Sequence, residues 1–396
     1  MGQAPECGCL SRRRPPGELR VDNPADRGEA ERMASESNQV KEILPERVRH
    51  DANLFQSGFW ARFKASRGYG TQAFRVSYRG RSTSVVMVHR PCAEDASYGY
   101  VPYGPDIPLP QEQQGRFLEF LSEALRHRLP GDCRFLRYDL PWESPYGPSS
   151  DRRGDWEGPP EPRLRELRMN FGCRHWNLRK ALTDIQPPDT VVLDLDRSAR
   201  TILLGMHQKA RYCVRRAFRR GVVVETAGVE ALSRWHGLYR ETARRKGIVA
   251  EASSYFRELF DTARSDRTDL RIYLGSCNGE LLSGSILVFQ PETATYLFSA
   301  SNRRGRTLMA SYAVLWKALM DARSQGCRWF DFFGIPPNDD PNHPMHGLFR
   351  FKTRFGGEIR HLRGCWDYPF DEERYASLSL PPAGRDAYHA RSCPYA

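Results

Sequence analysis

No apolar run in this chain approaches the roughly 18 residues that a membrane-spanning helix needs. The longest apolar clusters, residues 85–88 and 286–289, have the length of strands. A mean hydropathy of −0.63 agrees, and the reading excludes helical membrane spans. The first residues carry no apolar core of a secretory signal, and Glu6 stands where a myristoylation signal has Ser or Thr. Paired cysteines are missing as well. The ten cysteines are scattered, with only Cys7 and Cys9 close together, and no Cys-x-x-Cys pair occurs. Zinc sites need paired ligand spacing, so no structural metal is expected. Thiols at positions that suit an apolar residue, such as Cys213 and Cys277, point to a reducing cytosol. No Ser-His-Asp or Cys-His combination suggests a covalent nucleophile.

What is present suffices for folding. Of 396 residues, 40% are hydrophobic and 11% aromatic, which excludes wholesale disorder. At about 100–200 residues per domain the length gives two domains. Sixty basic residues against 48 acidic ones leave a net charge of +12. With a pI near 9.3, the chain favours polyanionic partners: nucleic acid, phosphorylated substrates or an anionic membrane face.

Residues 1–46 are rich in Pro, Gly, Arg and Glu and have almost no apolar periodicity. They are expected to be a disordered tail, or in part the product of an early start codon, since Met33 lies nearer the ordered region. Helical spacing over 54–64 puts Phe55, Phe59 and Phe63 on one face. Strands at 73–78 and 82–89 flank the Arg79-Gly80 turn, followed by a Gly- and Pro-rich stretch, a helix over 111–127 and a strand over 133–139. This α/β domain, 47–189, contains a polar insertion at 142–170 that is long for a loop. A second α/β domain, 190–355, opens with a strand at 190–195 and one long helix over 198–220. Two more helices, a hairpin around Asn278-Gly279, a strand at 295–301, a helix over 308–325 and a buried strand at 329–333 complete it.

Three segments carry chemistry. On the helix around Lys209, the residues Leu203, Met206, Ala210, Cys213, Val214, Ala217 and Phe218 share one side. Lys209, Arg211, Arg215, Arg216, Arg219 and Arg220 fill the rest, with no acid among them, which reads as a phosphate-binding surface. The turn Asn302-Arg-Arg-Gly-Arg-Thr307 leads into a helix, the arrangement of an anion site. Finally, the buried strand of Phe330-Asp-Phe-Phe-Gly-Ile335 delivers a Pro-rich loop and then an aromatic and basic segment centred on Lys352. Strand ends opening into loops are where α/β domains place substrates. His343 and His346 have no carboxylate cluster beside them and read as structural.

Six ordered matches, spread over residues 52–370, resemble the FemABX family of peptidoglycan interpeptide-bridge aminoacyltransferases. They are Gln56-Ser57 with Trp60 and Lys64; Tyr100-Val-Pro-Tyr-Gly-Pro105; Arg137-Tyr-Asp139 before Pro141; and Gln186-Pro-Pro-Asp-Thr-Val to Asp194-Leu195. Lys209-Ala-Arg211 running to Gly221-Val222, and the block from Asp331 to Gly357, complete the set.

The resemblance implies two tandem GNAT-like acyltransferase domains of the α/β class, with residues 356–396 returning to the first. The coiled-coil insertion of some members is not evident, and the polar insertion at 142–170 has no family counterpart. The implied reaction moves an aminoacyl group, glycine being one candidate, from aminoacyl-tRNA to the stem-peptide amine of lipid II or its UDP-linked relative. No cofactor is implied beyond that co-substrate. Lys64 and Arg211 match positions that grip the precursor's diphosphate, and Tyr103, Lys209 and Arg215 join them as substrate-binding expectations. Asp139 matches an acidic position in the substrate cleft, to orient the acceptor amine or take its proton. Lys352, with Phe351 beside it, matches the Phe-Lys pair that stabilises the developing oxyanion or the departing ribose oxygen. A monomeric cytoplasmic enzyme, touching the inner membrane surface and not DNA, is the corresponding expectation. A CoA-dependent N-acyltransferase of the same fold and a non-catalytic nucleic-acid-binding protein are the alternatives.

Overall fold

The structure, a computed structural model, describes residues 38–48, 53–147 and 158–378. Cys7, Cys9, Met33 and residues 148–157 of the expected insertion lie outside the described residues. Thirteen strands form one sheet, and no described helix is long and apolar enough to cross a membrane.

The first half is a meander of β1 (Gln39–Ile43), β2 (Thr71–Tyr78), β3 (Arg81–Ala93) and β4 (Ala96–Val101), with helix α1 (Gly58–Ser66) between β1 and β2. Helix α2 (Gln111–Arg126) then crosses over to β5 (Cys133–Glu143), which runs parallel to β4. Helix α3 (Pro162–Met169) and the short β6 (Arg179–Lys180) lead to the second half. There β7 (Asp189–Asp194) precedes α4 (Ala199–Gly205), α5 (Gln208–Arg219), β8 (Val223–Ala227), α6 (Leu232–Lys246) and α7 (Ser253–Asp266). A second meander follows: β9 (Asp269–Cys277), β10 (Glu280–Phe289) and β11 (Thr293–Ser301). Helices α8 (Arg303–Thr307) and α9 (Ala310–Ser324) cross over to β12 (Trp329–Asp331), parallel to β11. The chain ends in α10 (His346–Thr353), β13 (Glu358–Pro369) and α11 (Glu372–Ser377).

The spatial order, β1-β2-β3-β4-β5-β13-β7-β12-β11-β10-β9-β8, has a repeat in it. Each half is a four-stranded antiparallel run, a helical crossover to a parallel strand, and one further antiparallel strand. The last is β13 in the first half and β7 in the second, and these two pair with each other. Strand β13 therefore stitches the halves together: residues 358–361 pair with β7 and residues 362–369 with β5. Helix α1 makes a second link. Its Phe59 and Phe63, with Phe55 just before it, pack with Trp235, Phe256 and Leu259 of the second half, while Arg62 pairs with Asp266 and Arg67 with Glu258.

Several expectations are corrected. The tail was expected to extend through residue 46, yet Gln39–Ile43 pairs with β2. Only Val40 of β1 is buried, as suits a sheet edge, so apolar periodicity has nothing to register there. The polar insertion is also narrower than 142–170: β5 extends to Glu143, and α3 ends in a buried Met169. The long helix over 198–220 is two helices. Met206 is extended, and His207 caps α5 by accepting from the Lys209 N–H at 3.1 Å. The Gly- and Pro-rich stretch begins as the fully buried strand β4. Phe218, expected on the apolar side, is 43% exposed.

Arg137 on β5 donates two bonds to Asp367 on β13, at 2.7 and 2.6 Å, and both side chains are buried. A bidentate pair inside a sheet is costly to break from one side, because the remaining charge is left without a partner. Asp367→Ala is expected to lower unfolding stability by about 3–5 kcal/mol in a urea titration. Arg234→Ala, which removes an exposed ion pair with Glu225, is expected to cost less than about 1 kcal/mol.

Candidate functional site

The sheet opens at one place in its second half. Pairing between β11 and β12 runs from Thr293↔Trp329 to Thr295↔Asp331 and then stops, although β11 continues to Ser301. The chain leaves β12 through Phe333, whose φ of +59° is rare for a bulky residue. That bend turns two carbonyls toward Lys352 of α10, whose Nζ donates to Phe333 O at 3.1 Å and Gly334 O at 2.7 Å. Lys352 is only 5% exposed, and its ammonium lies 5.7 Å from the Tyr296 ring centre. Phe351 packs beside it, edge-on to Tyr312 at 5.0 Å and to Phe355 at 5.5 Å.

Two cavities flank this opening. One, of about 370 Å³, lies at the junction of the halves and is lined by Phe55, Tyr103, Thr295, Trp329, Asp331 and Arg360 among others. The other, of about 350 Å³, lies within the second half, where Arg245, Tyr296, Ser299, Arg306, Tyr312 and Phe351 line it. Thr295 of the first cavity and Tyr296 of the second are neighbours on β11. Lys352 occupies a small recess at this opening. The recess shares Tyr296, Ser299 and Leu348 with the second cavity, and its Phe333 ring meets Tyr103 at 6.2 Å. Tyr103 is itself held: its hydroxyl donates to Pro187 O at 2.5 Å, and its carbonyl accepts from Asn53 at 2.8 Å.

The second cavity has a cationic wall. Nε and Nη1 of Arg245 are buried without a hydrogen-bond partner, and the nearest carboxylate, on Glu241, is 3.9 Å away. Burial, and then the like charges of Arg306 and Arg303, push its pKa down. A guanidinium so placed gains from an incoming anion. The basic turn of residues 302–307 is partly used internally: Asn302 caps the Gly305 N–H at 2.7 Å, and Arg304 pairs with Glu280. Arg306 faces the cavity instead. Arg245 was not legible as a site residue, because an Arg-Arg-Lys run in a last helical turn suits the helix dipole anyway.

Asp139 is a buried group rather than a cleft carboxylate. It is 1% exposed, and it accepts from the Tyr100 hydroxyl, the Cys365 thiol and the Gln186 N–H, the last at 3.1 Å. Burial raises its pKa to about 6 against the pull of these bonds. Asp139, Asp184 and Cys365 come within 4.8 Å of one another, but the Lys180 ammonium pairs with Asp184 at 2.9 Å, so the cluster has its own counter-charge. Lys64 lies near this region. Its ammonium sits 4.8 Å from the Trp60 ring and 5.8 Å from that of Tyr69, and Arg90 is 5.9 Å from Tyr69 and 5.7 Å from Tyr100. Two cations thus lie near one aromatic ring, and Arg90 is the one that sequence reasoning did not single out.

Arg211 is elsewhere. It donates to the carbonyls of Leu204 (2.9 Å) and Met206, closing the end of α4. Lys209 and Arg215 are exposed on α5. Gln56, part of the same motif as Lys64, is a structural clamp: its amide bonds Pro102 O at 2.6 Å and the Val86 N–H at 2.8 Å. His346 bonds Asp339 at 2.7 Å and His343 caps the Met345 N–H at 3.0 Å, so both shape the loop before α10.

Comparison with known proteins gives a consistent picture. The sequence model of the FemAB family matches residues 47–278 and 276–380. The lipid II:glycine glycyltransferase of Staphylococcus haemolyticus is 22% identical over 271 residues, covering 52% of this chain and 64% of that protein. The enzyme of the same name from Staphylococcus aureus is 21% identical over 272 residues, covering 52% and 65%. The chain thus spans just under two thirds of the length of these relatives. Among solved structures, FemX superposes with a TM-score of 0.68 at 17% identity, over 85% of this chain and 99% of that one, which shows a shared fold.

The Asp139 carboxyl, with a folded pKa of about 6, keeps its proton where an unfolded carboxyl has lost it. Between roughly pH 4 and 6 the folded state therefore binds more protons, and this group's contribution to stability falls as pH rises. Asp139→Asn removes that slope. The variant's melting temperature relative to the unaltered chain is expected to rise between pH 4.5 and pH 7.

Proposed function

Because the chain belongs to the FemAB family, we propose that it transfers an aminoacyl group from aminoacyl-tRNA to the stem-peptide amine of a peptidoglycan precursor, lipid-linked or UDP-linked. The observation that carries this reading is the place of Lys352, in a recess at the opening of the sheet, with one cavity at the junction of the halves and a second beside the recess. A reaction joining two large substrates needs such an arrangement. Each substrate occupies its own cavity, and the reacting ends meet at the opening of the sheet.

The cavity with Arg245 and Arg306 suits the anionic donor: its cations meet a backbone phosphodiester near the aminoacylated end, and Tyr296, Tyr312 and Phe351 offer an apolar floor. The exposed cations Lys209, Arg215, Arg219 and Arg220 give the rest of a tRNA a surface outside the cavity. The junction cavity suits the acceptor, with the carboxylates of Asp106 and Asp331 in its wall to receive an amine. Lys64 and Arg90 offer a grip for the precursor's phosphates.

The neutral acceptor amine attacks the ester carbonyl, a C–N bond forms, and the C–O bond to the ribose breaks. The amine's proton leaves as the ribose oxygen gains one. The fixed ammonium of Lys352 stabilises the negative charge that grows on oxygen during this exchange. Proximity provides much of the acceleration, since an activated ester needs no enzyme-bound intermediate. A lipid-linked acceptor places the working enzyme at the cytoplasmic face of the membrane.

Incubating the purified chain with mixed aminoacyl-tRNAs and either precursor is expected to give a product heavier by one or more amino-acid residues; glycine is the first donor to test. Transfer from an acyl-CoA, with none from charged tRNA, would overturn the reading. Lys352→Met is expected to lower kcat by about 10²–10³ with little change in either KM. Arg245→Ala is expected to raise the donor KM about tenfold and leave the acceptor KM unchanged.

A further inference from the structure

One surface of the first half has no part in this scheme. Helix α3 and the loop after it expose Leu167 (49%), Phe171 (72%) and Trp176 (44%). Leu167 and Arg163 are four residues apart on α3 and share a face of it, and Phe171 follows just past the helix end at Met169. Arg168 and Arg174 are exposed around them. Glu161 at the start of α3 is exposed, and two other acids nearby are engaged by the fold. Glu166 accepts from the Lys180 N–H at 2.8 Å, and Glu119 accepts from the N–H groups of Arg174 (2.7 Å) and His175 (2.6 Å).

Exposed apolar residues on a loose loop need no explanation, but this loop is pinned from below. Asn170 is 2% exposed and clamps Leu178 at both backbone groups, at 2.8 and 3.0 Å. Met169, Cys173 and Leu178 are buried in the core of the first half. Trp176 has a φ of +57°, a backbone conformation uncommon for any residue but glycine. The indole is thus exposed on a loop whose Cys173 and Leu178 are buried on either side of it.

We infer that Leu167, Phe171 and Trp176, with Arg163, Arg168 and Arg174 around them, form the surface by which this protein docks on an anionic phospholipid bilayer. Apolar tips enter the acyl boundary, aromatic rings settle at the headgroup level, and arginines keep their heads among the phosphates while their stems lie along the apolar layer. The chemistry favours a bilayer over RNA because an aliphatic tip such as Leu167 has nothing to gain from a phosphate backbone. The inference rests on the lipid-linked form of the acceptor proposed above, since it gives the enzyme a reason to work at a membrane.

Vesicle sedimentation of the full chain tests it, with mixed phosphatidylcholine and phosphatidylglycerol vesicles against phosphatidylcholine alone. The unaltered chain is expected to bind the mixed vesicles, and Phe171→Ser/Trp176→Ser to bind them at least about tenfold more weakly. Arg163→Glu/Arg174→Glu, which leaves the apolar tips in place, is expected to remove the preference for anionic lipid. Both variants should keep the melting temperature and the rate of transfer to the soluble UDP-linked acceptor. Equal binding by all three proteins, no binding by the unaltered chain, or a loss in the variants of RNA binding instead of vesicle binding would each refute the surface. Failure of the unaltered chain to transfer to the soluble acceptor would count against aminoacyl transfer, and vesicle binding would still decide the surface.

Discussion

A single strand, β13, holds this protein to one geometry. Its first four residues pair with β7 and the rest with β5, so neither half can move without breaking a hydrogen-bonded ladder of the other. One backbone feature and one side-chain pair make the joint possible. Gly357 has a φ of +96°, and a Cβ there would stand 2.7 Å from Val192 O, so only glycine lets β13 approach β7. The buried pair of Arg137 and Asp367 then locks β13 against β5. Because the junction cavity is lined by residues of both halves, its shape is a direct consequence of this joint.

The two halves share a plan but treat its weak point differently. In each, the parallel pair at the crossover is where the sheet can open. In the first half β4 stays paired with β5 as far as Val101↔Tyr138, and the buried network of Tyr100, Asp139 and Cys365 fills the adjacent space. In the second half β11 and β12 part after three residue pairs, and a lysine from a later helix occupies the gap. An ammonium on two backbone carbonyls satisfies groups that the missing ladder would otherwise leave unpaired. The same bonds fix the charge in space, which is what electrostatic stabilisation of a growing oxyanion requires. Repair of the sheet and placement of the charge are thus one arrangement.

Much of the architecture was legible because apolar periodicity reports burial. The phenylalanine stripe before and along α1 carries that signal, whereas the Asn278-Gly279 hairpin was legible from its turn residues. The strand expected at 329–333 is shorter, Trp329–Asp331, with only Phe330 buried. Strand β1 shows no apolar periodicity, having one buried residue, and the break at Met206 leaves no mark either, because apolar spacing continues through it. Lys352 and Phe351 were recognisable as a motif, and the sheet opening around them gives that motif a physical setting. Arg211 illustrates the opposite case: a matching position on a cationic helix, whose guanidinium here closes the end of a neighbouring helix.

By itself, the sequence determined the alternation of strands and helices, the excess of positive charge and the cationic face of α5, since these follow from composition and local spacing. Only the tertiary structure decided which cations act together. Arg245 and Arg306 are sixty-one residues apart yet line one cavity, while Lys64 and Arg90 both lie near the Tyr69 ring. It also decided that Asp139 is buried and that Phe171 and Trp176 are not. Local spacing tells which side of an element is apolar. What lies against that side, and which charge is left unanswered, depends on contacts between residues far apart in the chain, and these exist only once the sheet has closed around β13.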